Sequence, residues 1–62
     1  MPNWGELKRR ADELRREISA LGKAVLAAIE AKDQEQVDQL RDLRASCERE
    51  LKEVETKLAK GT

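Results

Sequence analysis

The chain has 62 residues, thirteen basic and thirteen acidic, for a net charge of zero with 42% of positions charged. One cysteine and no histidine exclude an internal disulfide and leave a structural zinc site without its ligands. A single domain of this size holds only a marginal core of its own, so some staple or partner is expected.

The apolar residues are periodic rather than scattered, which argues for packed helices and against disorder. The longest uncharged run, Ala24 to Ile29, is too short to span a bilayer, and no signal-peptide arrangement precedes it. Together with the single unpaired thiol, this predicts a reducing, cytoplasmic setting with no membrane partner.

Asn3 followed by Glu6 reads as an N-cap with its capping-box partner, and acidic Glu6 suits the positive end of a helix dipole. Helix 1 is expected over residues 4–31. Its apolar stripe is Leu7, Ala11, Leu14, Ile18, Leu21, Val25 and Ile29, a coiled-coil spacing with a stutter at the end. A tight turn near residues 32–34 follows. Asp33 with Gln36 repeats the capping signature, and helix 2 is expected over residues 34–60. Glu35 and Asp38 load its start with negative charge, Lys57 and Lys60 its end with positive charge, and Gly61 is the expected stop. Glu48 with Lys52 and Glu53 with Lys57 are spaced for favourable pairs one turn apart.

The stripe of helix 2 is Val37, Leu40, Leu43, Cys47, Leu51, Val54 and Leu58. Read backwards, it mirrors the first. Leu7 faces Leu58, Ala11 faces Val54, Leu14 faces Leu51, Ile18 faces Cys47 and Val25 faces Leu40, each pair summing to 65. One fold-back point brings all of them into register. The fold class is therefore all-α: an antiparallel helical hairpin forming one domain over residues 1–62. A single helix of about 55 residues, paired antiparallel with a second chain, would present the same contacts in trans. The polar stretch Glu30–Gln36 and the Asp33 cap favour the hairpin.

Charge is uneven along the chain. Residues 1–29 carry six Lys and Arg against four Asp and Glu, residues 30–42 carry two against five, and residues 43–62 carry five against four. The balances are +2, −3 and +1, so the fold-back end is acidic.

No enzyme emerges from these residues. Nucleophilic triads lack a histidine, and no glycine-rich loop cradles phosphate. The carboxylates, interleaved with Lys and Arg, read as a solvated helix surface, and no cofactor or metal is expected. Cys47 reads as a small core residue opposite Ile18, the sharper alternative being an inter-chain disulfide. Gly22, Leu26 and Ile29 follow i, i+4, i+7 spacing beside the seam, and Val37 is expected to be displaced in the same way on helix 2. These four are the candidate interface. A two-helix hairpin cannot cover both its seam and this flank, so a docking face is favoured over a merely broad core. Two hairpins paired into a four-helix bundle, a homo-oligomer, would supply the missing burial.

Lys8, Arg9, Arg10, Arg15 and Arg16 form a basic cluster, the only residues suited to phosphate contacts. Glu6, Asp12, Glu13 and Glu17 are interleaved with them, and the single aromatic, Trp4, is better placed to cover the open end of the seam near Leu58. Nucleic acid is therefore the weaker reading. Met1-Pro2 and Gly61-Thr62 stand outside the pattern, as the ends of an excised or designed segment would.

The stretch Ala20-Leu21-Gly22-Lys23-Ala24-Val25, a turn near Asp33, and Leu51-Lys52-Glu53-Val54-Glu55 resemble the antiparallel coiled-coil arm of bacterial seryl-tRNA synthetases. That likeness covers most of the chain and implies an arm that binds tRNA, although the acidic turn departs from an RNA-gripping tip. Leu26-Ala27-Ala28-Ile29-Glu30 with Asp33, Glu35, Leu40 and Arg41 resembles helical-shaft segments of the large A subunits of insecticidal toxin complexes, over about a quarter of the chain. A short hairpin with a seam cysteine is similar in plan to the Rop family of RNA-binding four-helix bundles. None of the three transfers functional residues.

Overall fold

A computed structural model describes residues 3–61; Met1, Pro2 and Thr62 lie outside the described residues. Two α-helices, α1 (Trp4–Glu30) and α2 (Gln34–Lys60), fold back on each other into a rod of 46 × 14 × 13 Å. The chain is a hairpin, not one continuous helix.

Both helix starts carry the expected N-cap. The Asn3 side chain accepts from the Glu6 backbone N–H at 3.1 Å, and Asp33 accepts from the Gln36 N–H at 3.2 Å. Each thereby satisfies a donor that the first helical turn leaves unpaired. The turn itself is Ala31-Lys32-Asp33, with Lys32 left-handed at φ 60°. The Lys32 N–H donates to the Ile29 carbonyl and the Asp33 N–H to the Ala28 carbonyl, both at 3.0 Å. This is the Schellman arrangement, with lysine where glycine is usual. Asp33 closes α1 and caps α2, so the reversal needs no further residue.

Gly61 ends α2 in right-handed backbone, φ −77°, so it is not the left-handed stop expected of a glycine there. Its missing side chain matters for another reason. The Trp4 ring lies where a Cβ at Gly61 would fall, so the two chain ends close on each other over Leu58.

The core consists of two clusters along the seam. Ala11, Leu14 and Val54 are buried towards the termini, with Leu7, Cys47, Leu51 and Leu58 packed on them. Val25, Ala28 and Val37 are buried towards the turn, with Leu40 packed on them. The expected facing pairs of Ala11 with Val54, Leu14 with Leu51, and Val25 with Leu40 thus share clusters.

Three expectations are corrected. Val37 is only 3% exposed and belongs to the seam, not to a flank. Leu43 is 55% exposed and does not belong to the seam. Ile29, counted in the stripe, is 48% exposed, and its place in the core is taken by Ala28 at 4%. One physical cause accounts for all three. The buried line of α1 runs 7, 11, 14, 18, 21, 25, 28, alternating steps of four and three without a stutter. The matching line of α2 runs 37, 40, 44, 47, 51, 54, 58. Phase, not side-chain size, decides which residue faces the partner helix. On α2 that phase puts Arg44 opposite Leu21. The Arg44 side chain, 46% exposed, turns out of the seam to Glu48 at 3.2 Å, and the apolar core divides there into its two clusters.

Candidate functional site

On one flank of the rod, in its turn half, lies an open groove of about 800 Å³. Gly22, Leu26 and Ile29 form its α1 wall, and Arg41, Ala45 and Glu48 its α2 wall. Both triplets have the same i, i+4, i+7 spacing, which sets three side chains in line on one helix face. Leu26 is 63% exposed, the most exposed large apolar residue among those described. A Cβ added at Gly22 would meet nothing within 4 Å, so packing inside the hairpin does not require glycine at that position.

The structure therefore brings three of the four candidate interface residues together and removes Val37 to the core. The sequence reading did not place Arg41, Ala45 and Glu48 in the interface. Their signal was present, because their spacing repeats that of Gly22, Leu26 and Ile29, but two of the three are charged and an apolar count passes over them.

The surroundings show why this flank is bare. One α1 position, repeated every seven residues, carries Lys8, Arg15, Gly22 and Ile29; on the other side of the seam the equivalent position carries Arg10, Glu17, Ala24 and Ala31. Both lines change from charged to uncharged midway along the helix. In the terminal half, Arg10 Nε donates to Glu50 at 2.6 Å and Arg15 donates to Glu55 at 3.1 Å, one bridge on each side of the seam. Among the described residues no ion pair crosses between the helices in the turn half. Glu48 pairs with Arg44 one turn earlier rather than with Lys52, and Glu53 makes no ion pair with Lys57.

The basic cluster is partly committed. Arg10 contacts Glu13 as well as Glu50, at 3.3 Å, and Arg15 contacts Asp12 at 3.2 Å. Lys8, Arg9 and Arg16 carry no ion pair in the described structure. The Glu50 carboxyl sits below its ordinary value because Arg10 donates to it, against the opposing effect of burial. Arg10 is correspondingly held more firmly protonated.

Cys47 is partly buried, and its thiol donates to Glu17 at 3.5 Å. Burial pushes the thiol up, and the bond to Glu17 adds to the shift, so the sulfur stays protonated and poorly nucleophilic. Among the described residues no group of three or more Cys, Asp and Glu side chains is placed to hold a metal ion. No helix in them is long and apolar enough to cross a membrane.

Comparison with protein-family models, with curated proteins and with solved structures finds no match.

Proposed function

We propose that the chain is a non-enzymatic interaction module, a coiled-coil hairpin that self-associates through the flank of Gly22, Leu26 and Ile29. The observation that carries this reading is the paired exposure of Leu26 and Ile29 over a groove that nothing in the hairpin fills. About half of each side chain is still in water, so burying the remainder would return roughly 1–1.5 kcal/mol each. A lone two-helix core is marginal, and a second hairpin on the flank extends it into a four-helix bundle.

An RNA-binding arm is the weaker reading. Its phosphate contacts would have to come from Lys8, Arg9 and Arg16, since Arg10 and Arg15 are already held by carboxylates.

Sedimentation equilibrium across concentration tests the proposal, with a dimer of hairpins expected. Leu26→Glu should weaken association at least tenfold while the chain stays helical at high concentration, since burying an unpaired carboxylate in the contact is costly. A monomer at every concentration, or a Leu26→Glu chain that associates like the parent, would sink the reading.

A further inference from the structure

The flank offers more than apolar area. Its α2 side carries Asp38, Arg41, Ala45, Glu48 and Lys52 along one line. Arg41, Ala45 and Glu48 line the groove directly, and Asp38 and Lys52 stand seven residues before and after Ala45, on the same helix face. In signs the line reads minus, plus, small, minus, plus. Reversed end for end, it meets itself with every charge opposed. Asp38 falls against Lys52 (sum 90), Arg41 against Glu48 (sum 89), and Ala45 against Ala45.

A contact between two copies about a two-fold axis must be self-complementary, because the same patch supplies both sides. This line meets that requirement in only one orientation. A parallel copy, related by a two-fold axis along the rod, would lay α2 over α1 and leave this line without its own complement.

The α1 side of the flank places the axis independently. Residues that face one another across the hairpin sum to 65, so Ala45 lies level with residue 20 of α1. At that level the α1 flank carries Ser19 and Gly22, two of the groove-lining residues and both small. Both helices are therefore thin at the height where the charge pattern puts the axis. Small residues at a crossing allow close backbone approach, which accounts for Gly22 where packing within the hairpin does not.

We propose that the flank binds a second copy of this chain running antiparallel to the first, α2 on α2 and α1 on α1, with the two-fold axis at Ala45. The proposal rests on the self-association reading and adds its orientation and its means of recognition. Leu26 of one copy would then lie over Ser19 and the stem of Arg15 in the other. The acidic turn of each would lie beside the nearly neutral terminal half of its partner.

Two pairs of variants test it. Arg41→Glu with Lys52→Glu makes the line wholly acidic, and Asp38→Lys with Glu48→Lys makes it wholly basic. Each alone should associate roughly tenfold or more weakly than the parent, and an equimolar mixture should recover the parent's affinity. Orientation is read separately in a Cys47→Ser background. Gln34→Cys and Thr56→Cys, whose positions sum to 90, should cross-link to each other when mixed, and neither should cross-link to itself. A dimer that cross-links Gln34→Cys to Gln34→Cys overturns the antiparallel arrangement and leaves self-association standing. A parent chain that is monomeric throughout removes both. Charge variants that each dimerise as tightly as the parent overturn recognition by this line of charges.

Discussion

The two halves of the rod have the same architecture and opposite surroundings. In the terminal half, Ala11, Leu14 and Val54 are enclosed by larger neighbours, bridged on both flanks by Arg10–Glu50 and Arg15–Glu55, and closed at the end by Trp4 over Gly61. In the turn half, Val25, Ala28 and Val37 make a thinner core, and the flanking line that carried Lys8 and Arg15 now carries Gly22 and Ile29. Charged side chains beside a seam cover it with their stems and bridge the helices. Replacing them with glycine and aliphatic residues removes that cover and leaves apolar surface exposed. One half is finished as a hairpin. The other leaves Leu26 and Ile29 exposed beside its core.

The largest effect is expected at the most enclosed position. Leu14 is fully buried, so Leu14→Glu should cost more than the ~2–5 kcal/mol typical of truncating a core leucine, because it adds an unpaired buried charge. Circular dichroism should show the helices lost at room temperature. The same change at Leu26 should leave them formed, and equal loss of helix in the two variants would show that the flank is core.

A second variant addresses the break between the halves. Exchanging Leu43 and Arg44, as Leu43→Arg with Arg44→Leu, puts an apolar side chain opposite Leu21 and should join the two clusters. A gain of about 1–2 kcal/mol in denaturant unfolding is expected for this partial burial, set against the exposed Arg44–Glu48 pair that is lost. No gain would mean that Leu21 already has an adequate neighbour. At the turn, Lys32→Gly removes the penalty of a left-handed lysine and should add about 1 kcal/mol, read as a higher unfolding midpoint.

Much of this was legible in the sequence, because the information is periodic. The mirrored stripes gave the hairpin, its register and most of the seam, and Asn3 and Asp33 marked both helix starts. The misreadings came from weighing residues by hydrophobicity where phase decides. Ile29 outweighed Ala28, and Leu43 outweighed an arginine that holds the seam position. The cross-helix bridges were out of reach for a different reason. Arg10–Glu50 and Arg15–Glu55 sum to 60 and 70, five residues either side of the register, a slant that only long side chains on defined rotamers can span. The α2 side of the groove was missed because its residues are charged, and their meaning appears only once the fold puts them beside Leu26.

The smallest effect separates the halves by acid. The Glu50 carboxyl lies below its ordinary 4.5 because Arg10 donates to it in the folded chain. A group whose folded value is depressed contributes stability that is complete above the ordinary value and is lost as pH falls through the folded one. Arg10 remains protonated throughout, so acidification removes this bridge from the carboxylate side alone. Lowering the pH from about 6 to about 2.5 should therefore reduce amide hydrogen-exchange protection at Leu14 and Val54 more than at Val25 and Val37. The turn-half core has no inter-helix ion pair to lose among the described residues. Glu50→Gln supplies the control, because it should lower terminal-half protection at neutral pH and shrink the further loss in acid. Equal loss of protection in both halves would show that the rod opens as one cooperative unit, and the division at Arg44 would then be a feature of packing without a counterpart in stability.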